Sequence, residues 1–105
     1  MQKVLVTGAT GFLGSRIVKF LLEQDVEVVV LVRKKSNLRR LENVLSNPKL
    51  FQFNLDEISV EKYFEGNKVQ AIIHTATCYG RENESWAEIV QANLILPLRL
   101  ILAGS

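Results

Sequence analysis

The stretch Val4-Leu5-Val6-Thr7-Gly8-Ala9-Thr10-Gly11-Phe12-Leu13-Gly14 restricts the fold of this chain more than any other. Val4 to Val6 form a short, fully apolar run, which suits a strand buried on both faces. Directly after it, Leu13, Ile17 and Leu21 recur at helical spacing with Val18 and Leu22, predicting a helix over about 11–24. A strand that turns into a helix within so few residues needs a tight corner, and the glycines supply it. Gly8 permits the turn off the strand, Gly11 leaves the backbone bare for close approach, and Gly14 lets helix and strand pack tightly. The first N–H groups of such a helix are unpaired and carry partial positive charge, so the corner suits an anion such as phosphate.

The rest of the chain repeats this alternation. Val26 to Val32 is rich in β-branched residues and predicts a second strand. Ser36 is placed to cap a helix carrying Leu38, Leu41 and Leu45, which Asn47-Pro48 stops. Leu50 to Phe53 predicts a third strand, Ser59 to Glu65 a short helix closed by Gly66, and Val69 to Thr75 a fourth strand. Ser85-Trp86-Ala87-Glu88 has the form of a capping box, opening a helix that runs through Ile89, Asn93, Leu96 and Leu100 to Ala103-Gly104. The order β-α-β-α-β-α-β-α predicts an α/β fold, a Rossmann-type doubly wound parallel sheet represented by its first four βα units. Residues 76–84 form the longest polar loop and follow a strand's carboxyl end, where ligands bind in open α/β sheets.

Bulk properties narrow the setting. With 105 residues, 48% hydrophobic and 23% charged, the chain has the composition of one small globular domain. A net charge of +2 is too mild to argue for nucleic acid, and the basic cluster lacks interleaved aromatics. The single cysteine, Cys78, excludes an intrachain disulfide framework and fits a reducing cytosol. No apolar run approaches the length of a membrane span, and Met1-Gln2-Lys3 leads into nothing of signal-peptide type. A cytoplasmic protein without membrane or nucleic-acid partners and without a metal is expected.

The glycine spacing is G-x-x-G-x-x-G, with a strand before, a helix after and a second strand within roughly 30 residues. The stretch Val4 to Gly14 closely resembles the extended short-chain dehydrogenase/reductase family, the NAD(P)-dependent epimerases, dehydratases and reductases of nucleotide sugars. The resemblance continues at Ile72-Ile73-His74-Thr75-Ala76 and from Asn93 through Pro97 to Leu100, covering essentially the whole chain. It implies a dinucleotide cofactor held by Gly8, Thr10, Gly11, Phe12, Leu13 and Gly14. It further implies adenine contacts where the family has an aspartate followed by an apolar residue. Here Asn54-Leu55 stand there, a departure that still leaves a carbonyl to accept from the adenine amine. Ala76 and Thr77 fall where the family passes the nicotinamide half, and Asn93 matches the family asparagine near the active site.

The second strand decides which cofactor is expected. In a Rossmann unit an acid at its end accepts from the ribose 2′-hydroxyl, whereas an arginine pairs with a 2′-phosphate. Arg33-Lys34-Lys35 follow Val32 with no acid until Glu42, so NADP(H) is expected, with NAD as the alternative. Arg39 and Arg40 read as an exposed helix face and Asp56 as a turn residue. Ser59 and Ser85 read as caps, and His74 as a core or backbone-packed residue.

The family's chemistry uses a Tyr-x-x-x-Lys pair with a Ser or Thr. Tyr63 and Tyr79 are followed four residues on by Asn67 and Asn83, so no catalytic residue is assigned. Residues 1–105 are therefore expected to be the N-terminal part of a Rossmann domain, inactive alone, lacking the catalytic Tyr/Lys segment and the substrate domain. The longer protein is expected to be an epimerase, dehydratase or reductase working by hydride transfer on a small molecule, with Cys78-Tyr79-Gly80-Arg81 bordering the substrate. The alternative is a non-catalytic NADP(H)-sensing or binding module. Pro97 should bend the last helix and free the Asn93 carbonyl, either for the cofactor site or merely as a packing kink. That helix is apolar nearly all round, which fits a homodimer face or burial within a larger monomer.

Overall fold

The computed structural model describes residues 2–75 together with Ser85, Ala87, Glu88 and Leu98. Strand β1 spans Lys3–Thr7, helix α1 Phe12–Glu23, and β2 Glu27–Val32. A 3₁₀ helix over Arg39–Val44 leads to β3 at Leu50–Asn54, α2 at Val60–Gly66 and β4 at Ala71–His74. The strands form one parallel sheet in the order β3-β2-β1-β4.

The side-chain period of two sorts the apolar residues onto two faces. Val4, Val6, Val28, Val30 and Val32 meet Val18 and Leu22 of α1 and Leu41 of the 3₁₀ helix. The alternate residues Leu5, Val29 and Leu31 meet Phe53 and Val60, with Tyr63, Phe64 and Ile72 packed alongside. Covering on both faces explains the fully apolar run Val4–Val6 in β1 and the apolar stretch Val28–Val32 in β2. It also confirms the doubly wound α/β architecture.

Local chemistry explains where elements stop. Helix α1 ends with Asp25 in the left-handed region, φ 63°. The Asp25 N–H bonds to the Leu22 carbonyl and the Val26 N–H to that of Leu21, the Schellman arrangement. Asp25 also pairs with Lys49, tying the turn to the residue before β3.

The segment after β2 corrects the expectation of a Ser36-capped helix. Ser36 Oγ accepts the Arg33 N–H at 2.8 Å, and Asn37 Oδ1 accepts the Arg39 N–H at 3.0 Å. These short polar side chains satisfy the local backbone and compete with a regular helix start. A 3₁₀ helix with Leu38 at its cap remains, and Leu41, fully buried, anchors it.

Ser59 caps α2 as expected, accepting the Lys62 N–H at 3.1 Å. Gly66, however, is the last helical residue rather than the stop, because Asn67 turns extended and its amide donates to the Tyr63 carbonyl. Further along, Ser85 Oγ accepts the Glu88 N–H at 3.1 Å and donates to Glu88 Oε1 at 3.3 Å. The backbone half of the predicted capping box is thus present, and Ala87, Glu88 and Leu98 are helical. Ala76, Thr77, Asn93, the bend expected at Pro97 and the polar loop 76–84 lie outside the described residues. Among the described residues no helix is long and apolar enough to cross a membrane.

Candidate cofactor site

The site begins where β1 runs out. Thr7 is fully buried, and Gly8 turns with φ 67°, a conformation that L side chains rarely adopt. The Gly11 N–H closes the turn on the Gly8 carbonyl at 3.0 Å. A Cβ on Gly14 would overlap the Gly8 carbonyl oxygen and lie 2.6 Å from its carbon and 2.9 Å from Thr75 Oγ1. One on Gly11 would sit 3.3 Å from the same oxygen, tight but nearly accommodated. Gly14 therefore brings helix and strand together, while Gly11 keeps the loop surface low.

Helix α1 starts at Phe12 after Gly11, with no side-chain cap and no acidic residue in its first turn. Its leading N–H groups and positive dipole end are available to an anion. The Phe12 and Leu13 side chains are exposed, and the Arg16 guanidinium lies 4.4 Å from the Phe12 ring centre.

Behind the loop, the ends of β1 and β4 are laced together. Thr75 donates its N–H to Thr7 Oγ1 at 3.1 Å and its hydroxyl to the Thr7 carbonyl at 2.6 Å. Thr7 Oγ1 also lies 2.6 Å from His74 Nδ1. With the hydroxyl donating to Nδ1, the ring proton sits on Nε2. His74 is thus not a core residue: it is exposed on β4 and its ring is held by Thr7. Partial burial still lowers its pKa below the usual histidine value. The β1–β4 junction is also where the strand order reverses, the position at which open α/β sheets bind ligands.

Beside the loop lies a cavity of about 170 Å³ lined by Thr7, Gly8, Thr10, Leu31, Val32, Arg33, Ser36 and Leu55. It brings together four residues singled out from sequence, Gly8, Thr10, Arg33 and Leu55. Asn54, at the end of β3, is half-buried, and its side-chain carbonyl accepts the Asp56 N–H at 2.9 Å. One lone pair of that oxygen is therefore already engaged. A second hollow, about 250 Å³, lies between the late turns of α1 and the 3₁₀ helix, lined by Lys19, Leu22, Glu23, Asn43, Val44 and Asn47. It touches none of the residues predicted for the site.

Two residues, Arg40 and Asp56, make contacts at this site that escaped the sequence reading. Arg40 Nη1 donates to the Thr10 carbonyl at 3.2 Å, so this exposed residue reaches across to the glycine loop. Asp56, read as a turn residue, accepts the Lys34 N–H at 2.5 Å through Oδ2 and stands with Oδ1 3.7 Å from Arg33 Nη1. The parallel register contained the second signal: Val32 faces Asn54, and two residues further on Lys34 comes opposite Asp56. Nothing in the linear sequence marked the first. Among the described residues no group of His, Cys, Asp and Glu could hold a metal ion.

A parallel sheet covered on both faces, with an uncapped helix start above a glycine turn at its switch point, defines the Rossmann class of nucleotide-binding folds. More narrowly, this chain belongs to the NAD dependent epimerase/dehydratase family, whose model matches residues 4–104. It is 33% identical over 100 residues to CDP-abequose synthase of Salmonella typhimurium, covering 95% of this chain and 33% of that protein. Against dTDP-glucose 4,6-dehydratase of Neisseria meningitidis it is 30% identical over 113 residues, covering 99% of this chain and 32% of the relative. The Bordetella bronchiseptica enzyme WbmH, solved in complex with NAD+, superposes with a TM-score of 0.78 at 26% identity, over 98% of this chain and 34% of that one. The chain thus spans about a third of the length of the curated relatives it matches.

Proposed function

We propose that this chain is the NADP(H)-binding part of an enzyme that epimerises, dehydrates or reduces a nucleotide sugar by hydride transfer. The observation that carries the reading is the uncapped start of α1 at the Gly8–Gly14 turn, open beside a cavity that Arg33 borders. Named relatives make or modify nucleotide sugars, and solved neighbours hold NAD, one of them together with UDP.

The residues present fit such a cofactor. The pyrophosphate would lie on the N–H groups of Phe12, Leu13 and Gly14, above Gly8 and Gly11, with the Thr10 segment at its side. Adenine would enter the cavity against Leu55, and the Asn54 side-chain carbonyl, assigned to adenine by resemblance, keeps one lone pair to accept from its amine. Arg33 would fork onto the 2′-phosphate of NADP(H); with NAD it would meet only the ribose edge. Ala76, Thr77 and Asn93 are assigned to the nicotinamide half by resemblance. When bound, the nicotinamide would carry the hydride, accepting it in the oxidised form and donating it in the reduced form. This chain's own contribution is to bind and orient the dinucleotide.

Titrating the purified chain with NADPH and NADH by calorimetry tests the reading. Tighter NADPH binding that Arg33→Glu abolishes would support it, and equal, weak binding unaffected by that substitution would refute it. The second reading, a non-catalytic NADP(H)-sensing module, draws on the Asn67 and Asn83 that stand where a catalytic lysine would follow Tyr63 and Tyr79. Turnover of a nucleotide sugar by the longer protein would exclude it.

A further inference from the structure

Asp56 is fixed in place by the backbone around it. Its Oδ2 accepts the Lys34 N–H at 2.5 Å, and its own N–H donates to Asn54 Oδ1 at 2.9 Å. The Glu57 and Ile58 N–H groups both return to the Asn54 carbonyl at 3.1 Å, so the turn after β3 is closed on itself. The other oxygen, Oδ1, is the one that approaches the Arg33 guanidinium. The separation of 3.7 Å is an ion pair rather than a hydrogen bond, so this contact takes up none of the guanidinium's donors. Arg33 is 54% exposed and Asp56 40% exposed, so an incoming anion can reach both.

A 2′-phosphate that engages Arg33 therefore meets a carboxylate already there. The two anions compete for one guanidinium, and Asp56 cannot swing aside without giving up the Lys34 N–H. A ribose 2′-hydroxyl carries no charge and suffers no such repulsion. We propose that Asp56 is a coenzyme-discriminating residue, an internal competitor of the 2′-phosphate that lowers the preference for NADP(H) and keeps the site open to NAD(H). The inference rests on the proposed reading of Arg33 as the 2′-phosphate partner.

Asp56→Asn tests it, because the amide keeps an oxygen for the Lys34 N–H and removes only the charge. The NADPH dissociation constant should fall about three- to tenfold while that for NADH stays unchanged, an effect of exposed charges that shrinks as salt is raised. A loosened turn would instead weaken both coenzymes together, so the ratio separates the charge from the fold. Asp56→Ser and the smaller pair 2′,5′-ADP and ADP give the same comparison should the first variant unfold. If the unaltered protein favours NADPH through Arg33 but neither variant raises that preference, the role of Asp56 is overturned and the site reading stands. If the unaltered protein shows no Arg33-dependent preference, both fall.

Discussion

At the residue scale the glycine turn makes unequal demands on its members. Gly14 has backbone against the place where a Cβ would go, so nothing flexible can move aside. Gly14→Ala should cost about 2–4 kcal/mol in urea unfolding, as overpacking against fixed backbone does. Gly11→Ala, with a single neighbour at 3.3 Å, should cost much less and report mainly through cofactor affinity. Arg40→Ala should weaken NADPH and NADH alike, because its partner is the loop carbonyl of Thr10, whereas Arg33→Glu should weaken NADPH while leaving NADH bound as well as before or better, since an acid there can accept from the ribose 2′-hydroxyl. His74 adds a pH dependence. Its pKa is lower folded than unfolded, because partial burial disfavours the charged ring. The unfolded chain then binds more protons, so the stabilisation is complete above about pH 6.5 and is lost as pH falls through the folded value. The residue is exposed, so the slope should be shallow, and His74→Gln should flatten it in pH-dependent melts.

At the element scale, periodicity was a good guide to strands and to α1, and a poor one between β2 and β3. The apolar residues Leu38 and Leu41 do face the core there, as their spacing implied. What spacing could not show was that Ser36 and Asn37 would bond their own backbone and leave a 3₁₀ turn. The anchor of that turn is Leu41, so Leu41→Ala should destabilise by about 2–4 kcal/mol, read as a lower denaturation midpoint at unchanged slope. Asp25 offers the complementary test. A left-handed residue that is not glycine is strained, and Asp25→Val should be markedly worse than Asp25→Gly, which trades the Lys49 pair for relief of that strain.

At the scale of the whole molecule, β1 and β2 are the inner strands of the described sheet and carry nearly all of its fully buried residues. Amide exchange should therefore be slowest at Val4–Val6 and Val28–Val30, and faster in β3 and β4, whose side chains are partly exposed. The same centre-to-edge gradient places the glycine turn on the firmest strand. The proposed phosphate-binding role suits such a base, because the donors would have to keep their positions as a ligand came and went.

The alternation of strands and helices, the doubly wound sheet and the glycine turn at its head are all legible from residue order alone. Each follows from local periodicity or from the absence of a Cβ, and both are written along the chain. What surrounds the turn depends on folding. Asp56 lies 23 residues beyond Arg33 in sequence, and Arg40 lies 30 beyond Thr10, yet each pair meets. Parallel pairing of β2 with β3 and packing of the 3₁₀ segment against α1 bring them together. Charges read one at a time along a chain predict a cation at the end of β2; the fold adds the carboxylate that stands against it.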